Sequence, residues 1–82
     1  MKLPRDLSST ELEKSLRRSY GYEFSRQVGS HRRLTTQIGG QHHLTIPQHD
    51  PIRVGTLRTI LGEIMEHHRL SLDEVLAKLG YR

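Results

Sequence analysis

The run Arg26-Gln27-Val28-Gly29-Ser30-His31-Arg32-Arg33 sets an imidazole among arginines directly after a glycine–serine pair. Imidazole titrates near working pH, so a histidine here can take or give a proton. Guanidinium groups match phosphate oxygens in geometry and charge. Gly29 permits a tight turn and a close backbone approach to a phosphate. Ser30 can donate a hydrogen bond to a phosphate or fix the histidine. Together these residue types suit cleavage of RNA, whose own 2′-hydroxyl can attack the adjacent phosphorus. The protein must then remove that proton, stabilise the phosphorane charge and protonate the leaving 5′-oxygen. A positioned acid or base contributes ~10²–10⁴-fold, and Arg26, Arg32 and Arg33 are placed to stabilise charge. The plainer alternative is an exposed or turn-capping histidine beside an ordinary turn serine. The residues alone favour that alternative.

One histidine does not account for two proton transfers. His49, in the loop expected after the third strand, is the second candidate, with a solvated loop histidine as its alternative. His43 falls on the parity of the solvent-facing sheet residues. The pairs His42-His43 and His67-His68 do not suggest a metal site, because adjacent residues diverge on both strands and helices. With no cysteine and no carboxylate at ligand spacing, no metal and no cofactor is expected. Gly55-Thr56 at a helix start could bind an anion, although simple capping is the better explanation. Arg17, Arg18, Arg53 and Arg58 read as solvated. Tyr and Phe are few and Trp is absent, which favours recognition of backbone shape and 2′-hydroxyls over base stacking.

The whole chain has 82 residues, with 13 Lys+Arg against 9 Asp+Glu and a net charge of +4. The pI near 10.0 suggests a polyanionic partner, although a modest excess of positives also serves solubility. A chain this short buries only ~60–65% of the surface it exposes when unfolded. One small domain spanning residues 1–82 is expected. The absence of cysteine fits a reducing compartment. No apolar run reaches membrane-spanning length and no secretory h-region follows Met1, so a cytoplasmic protein without a membrane role is expected.

These residues need a scaffold, and the apolar pattern supplies one. After a polar lead over residues 1–6, Ser8 with Glu11 has capping-box spacing, and Leu7 with Leu12 has staple spacing. Leu12, Leu16 and Tyr20 line one helix face, and Gly21 ends the helix. Residues 22–28 alternate as a strand with Tyr22, Phe24 and Val28 inward, and Arg26 shares their parity near the strand end. Residues 31–38 make a second strand with Leu34, Thr36 and Ile38 inward. Leu44 and Ile46 are inward on a third. A three-residue loop of Gly39, Gly40 and Gln41 pairs Ile38 with His42 and Thr36 with Leu44, which keeps every apolar side chain on one face. Pro47 stops the sheet. Leu57, Ile60, Leu61, Ile64 and Met65 form a helical stripe, and His67-His68-Arg69 breaks it. Ser71 with Glu74 repeats the capping box before Leu72, Val75, Leu76 and Leu79, and Gly80 terminates that helix. The expectation is an α+β fold of order helix, three antiparallel strands, helix, with an extra C-terminal helix. One sheet face is covered and the other is wet, carrying His31, Arg33 and Thr35. Leu12, Leu16, Phe24, Leu34, Leu44, Ile46, Leu57, Ile60, Leu61 and Ile64 should share one core.

Gly21-Tyr22, Arg26-Gln27 and Gly29-Ser30-His31 resemble the signature of HicA-type toxins. So do Ile46-Pro47-Gln48-His49 and Gly55-Thr56-Leu57-Arg58-Thr59-Ile60-Leu61 at fitting distances downstream, and the motifs together span residues 12–64 of the 82. The resemblance implies a fold like a double-stranded-RNA-binding domain, with its core over residues 7–66 and an additional helix over 70–80. It implies a metal-independent endoribonuclease that cuts messenger RNA when freed from a HicB-type antitoxin. It also makes the Gly-Ser-His histidine, His31, catalytic; the reading of the residues themselves adds Arg26, Gly29, Ser30, Arg32 and Arg33 on the RNA and His49 as the second proton-transfer candidate. Two departures stand out. Arg32 and Arg33 follow His31 where the family often has a histidine or aromatic, and the C-terminal helix exceeds the minimal family domain. A non-catalytic RNA-binding module and a purely structural subunit are the competing functions.

Overall fold

Ser8 starts the first helix by leaving the helical conformation (φ −80°, ψ 155°) and accepting the Glu11 N–H through its side chain. Its hydroxyl also donates to the Glu11 carboxylate at 3.0 Å. Glu11 therefore meets the capping hydroxyl, where the expected box has it reach back to the Ser8 N–H. At Ser71 the box is complete: its side chain takes the Glu74 N–H at 3.2 Å, and its own N–H donates to the Glu74 carboxylate at 2.9 Å. The computed structural model describes residues 3–81; residues 1 and 2 of the polar lead, and residue 82, lie outside the described residues.

Six elements follow in the expected order: α1 (Ser9–Tyr20), β1 (Glu23–Val28), β2 (His31–Thr36), β3 (His42–Pro47), α2 (Val54–His68) and α3 (Leu72–Leu79). The strands form an antiparallel sheet in the order β1-β2-β3. Both α1 and α2 contact β3. Leu34, Leu44 and Ile46 point into the layer between sheet and helices and are buried with Leu12, Leu16, Leu57, Ile60, Leu61 and Ile64. Gly21 closes α1 at φ 68°, a left-handed position, and a Cβ there would lie 2.9 Å from Ile38 Cδ1.

Three expectations need correction. Phe24 is 47% exposed and lies outside the core. β1 is an edge strand, so Phe24 covers the rim of the sheet and its ring supports the Arg32 guanidinium at 4.1 Å. Second, β2 ends at Thr36, and Ile38 is 55% exposed in the following turn. Third, the register is displaced by two residues: Thr36 pairs with His42 and Leu34 with Leu44. A slide of two preserves which face each side chain takes, so face pattern cannot separate the two registers. The longer connection wins because its polar groups are satisfied. The Thr36 hydroxyl donates to the Tyr20 carbonyl at 2.6 Å and accepts the Ile38 N–H at 3.1 Å. His67 Nε2 donates to the Ile38 and Gly40 carbonyls, each at 3.1 Å.

The C-terminal helix is built into the core. Val75, Leu76 and Leu79 are fully buried. Its end is tied to α1 by Ser19 Oγ donating to the Lys78 carbonyl at 2.8 Å and by Tyr81 OH donating to Ser15 Oγ at 2.9 Å. Leu76→Ala should therefore lower the unfolding free energy by about 2–5 kcal/mol, the range for truncating a buried leucine. Urea denaturation monitored by circular dichroism reads this, and a loss under about 1 kcal/mol would make α3 a loose appendage.

Candidate functional site

The side chains of the open sheet face are set by one irregularity. Glu23 pairs with Thr35 and Phe24 with Leu34, but the ladder then shifts so that Arg26 pairs with Arg33, Gln27 with Arg32 and Val28 with His31. Ser25 is the extra residue of this β-bulge, and its hydroxyl donates to the Arg33 carbonyl at 3.0 Å. Strict alternation would have kept Arg26 and Val28 on the helix side with Phe24. The bulge turns both to the open side, beside Arg33 and His31. One signal of this is legible in the chain itself: an arginine at apolar parity in a strand that otherwise alternates.

Gly29 and Ser30 connect β1 to β2, with Gly29 at φ 58° and nothing within 4 Å of where its Cβ would stand. The Ser30 carbonyl accepts the Gln48 N–H at 2.7 Å, which fastens the turn to the end of β3. His31 follows, exposed, at the junction of two shallow concavities. One, of about 260 Å³, is lined by Arg26, Val28, His31, Arg33, His43 and Thr45. The other, of about 390 Å³, brings His31, His43 and Thr45 against Thr56, Thr59 and Glu63 of α2. Arg26 and Arg33 stand opposite each other across the strands, and among the described residues no carboxylate lies within ion-pair range of either. Like charges so opposed destabilise a sheet pair.

Arg32 lies elsewhere. As the neighbour of Arg33 on a strand it projects from the other face, where Nε and Nη2 grip the two Glu13 oxygens at 2.9 and 2.8 Å. Nη1 donates to Gln27 Oε1 at 3.0 Å. The hydrogen bonds and charge of Glu13 hold its protonated form even more firmly than usual. Of the residues expected on RNA, then, Arg26, Gly29, Ser30 and Arg33 surround His31 and Arg32 does not. His49 is exposed in the loop after β3 and lines neither concavity. The second imidazole on this face is His43.

The remaining histidines gather on the other side of β3. Tyr22 OH bridges His42 Nδ1 at 2.8 Å and His68 Nε2 at 3.0 Å. His42 and His67 stack with centroids 4.2 Å apart. His42 and His43 diverge, as expected, but His67 and His68 do not: their rings meet edge to face with centroids 4.7 Å apart, and α2 packed over β3 brings His42 to both. That is a tertiary effect, invisible to spacing. Among the described residues no group of three or more His, Cys, Asp or Glu could hold a metal ion. Burial lowers the pKa of both His42 and His68; His67 adds to both shifts, His43 to that of His42 and Lys78 to that of His68, while Glu66 opposes the shift at His42. Both are thus harder to protonate in the fold than in the unfolded chain, where imidazole titrates near 6.5. The unfolded chain binds more protons below that pH. The stability tied to neutral His42 and His68 is full above it and is lost as pH falls through their lowered folded values. Urea midpoints should drop between pH 7.5 and pH 5, and His42→Gln with His68→Gln should flatten that drop.

The family model for the HicA toxin of bacterial toxin–antitoxin systems matches residues 9–65 of the 82. The match runs from the start of α1 into the last turns of α2, and α3 falls outside it. No curated protein and no solved structure matches the chain. No helix among the described residues is long and apolar enough to cross a membrane. The matched span includes the Gly29-Ser30-His31 turn, both strands that present His31 and the helix walling the second concavity, and it covers more than half of the sequence: the chain belongs to the HicA toxin family and is the toxin of a bacterial toxin–antitoxin pair.

Proposed function

We propose that this toxin is a metal-independent endoribonuclease that cleaves messenger RNA on the open sheet face, with His31 as its proton-transfer residue. The observation that carries this is the unneutralised Arg26–Arg33 pair beside an exposed histidine. Two guanidinium groups facing one another gain most from an anion placed between them, and a backbone phosphate is such an anion. With the phosphate held there, His31 takes the 2′-hydroxyl proton as the 2′-oxygen bonds to phosphorus. The arginines stabilise the phosphorane charge. The bond to the 5′-oxygen then breaks, and that oxygen is protonated from the solvent on this open face. The fragments carry a 2′,3′-cyclic phosphate and a 5′-hydroxyl. Because RNA supplies the nucleophile, the step calls for no metal-bound water. Gly29 leaves room for the strand to approach the turn backbone. The antitoxin partner in this reading is a HicB-type protein that covers the His31 face in the cytoplasm and sets carboxylates against Arg26 and Arg33.

His31→Ala should reduce cleavage of a labelled messenger RNA by about 10²–10⁴-fold while circular dichroism shows an unchanged fold. EDTA should leave the wild-type rate as it is. Equal cleavage by wild type and variant would remove His31 from the mechanism, and no cleavage by either would make the protein an RNA-binding module. His49→Ala tests the loop histidine, and a rate close to wild type is expected. Arg33→Ala should weaken RNA binding and lower the slope of log K against log salt by about 0.7, the loss of one phosphate contact on a single strand. Arg32→Ala should instead lower the melting temperature, because it frees Glu13 and uncovers Phe24.

A further inference from the structure

His43 faces the same two concavities as His31, and its ring is fixed. Thr35 Oγ1 lies 2.8 Å from His43 Nδ1, directly across the β2–β3 ladder. If the ring is neutral and the hydroxyl donates, Nδ1 is the acceptor and the proton sits on Nε2. If the ring is protonated, the hydroxyl accepts and Nε2 again bears a proton. In both of these states an N–H is left free of the Thr35 contact, whereas the tautomer whose Nδ1–H donates to Thr35 would leave Nε2 bare. His43 pairs with Thr35 four positions along β2 from His31, ~13 Å at the usual rise per residue. Arg33 and Thr45 occupy the ladder positions between them.

We propose that His43 is a substrate-contacting residue that donates from Nε2 to an RNA phosphate flanking the cleaved one, with Thr35 as its positioning residue. The inference rests on the ribonuclease reading of this face. It gives the substrate a track: the strand enters at the Gly29–Ser30 turn, crosses Arg26 and Arg33, and runs along β3 to His43. A productive substrate therefore extends past the cleaved bond on the His43 side.

Binding of a 2′-O-methyl RNA oligonucleotide tests this, because such a strand lacks the nucleophile and reads out contact without cleavage. His43→Ala should weaken binding about tenfold, the loss of one hydrogen bond to a charged oxygen. His43→Gln, whose amide retains a donor near Nε2, should recover most of it. Thr35→Val should weaken binding as well, and Thr35→Ser should restore it. In cleavage of unmodified RNA the loss should fall on KM rather than on kcat. Nitrogen NMR of the free protein should show the Nε2 proton in place. Wild-type affinity in His43→Ala, a bare Nε2, or a loss confined to kcat would overturn the proposal. Failure of the ribonuclease reading is separate: it shows as absent cleavage by wild type or full cleavage by His31→Ala, while the binding series still reports on His43.

Discussion

Ser25 is one residue too many for the β1–β2 ladder, and the character of both sheet faces depends on that excess. Before the bulge, β1 sends Phe24 to the helix side. After it, Arg26 and Val28 go to the open side. An edge strand with a bulge is also a poor template for unwanted pairing. β1 therefore serves both faces. Phe24 and Gln27 hold Arg32 on the one, and Arg26 and Val28 flank Arg33 and His31 on the other. The Ser25 hydroxyl meets the Arg33 carbonyl, so the irregularity is bonded in place.

Much of the scaffold was legible because local rules and burial agree in it. Ser8 and Ser71 were identifiable as caps, Gly21 and Gly80 as helix ends, and the stripe from Leu57 to Ile64 as the buried side of α2. Face parity in β2 and β3 was also readable, since period two fixes it. What escaped was whatever parity leaves free. A register slide of two keeps every face, so the turn at Gly39 and Gly40 was decided by hydrogen bonds from Thr36 and His67, which no spacing rule contains. The bulge breaks period two, so alternation puts Arg26 and Val28 on the wrong face, and the edge position of β1 leaves Phe24 bordering the core rather than in it. In the candidate site, His31 and Arg33 were placed on the open face by alternation. The same alternation, applied to Arg32, separates it from them.

The six histidines divide by the same geometry. His31 and His43 share the open face. His42, one residue from His43, points the other way and meets His67 and His68 around Tyr22. His49 lies in the loop. Tyr22 OH has one proton to give and lone pairs to accept, so it can bridge two imidazoles by donating to one and accepting from the other. That arrangement holds while the acceptor ring stays neutral. The inner trio thus belongs to the stability of the fold, and on the reading proposed for the open face the outer pair belongs to its chemistry. They are neighbours in sequence because a strand alternates, not because they act together.

Arg32 and Arg33 give the sharpest contrast. They are adjacent in sequence and on opposite faces. Arg32 has a carboxylate, an amide and an aromatic ring around it. Arg33 faces another arginine across the ladder. A chain selected for stability alone would not leave that pair unneutralised when one carboxylate could relieve it. On the reading proposed for this face, the neutralising charge comes from outside, either as RNA phosphate or as carboxylates of an antitoxin. Both ligands would bind the folded chain through the same guanidinium groups. Either would stabilise it by mass action, about 2.7 kcal/mol when present at a hundred times its dissociation constant. Binding of one must then exclude the other. Inhibition by the antitoxin and stabilisation of the toxin become a single event, with no conformational change needed to link them.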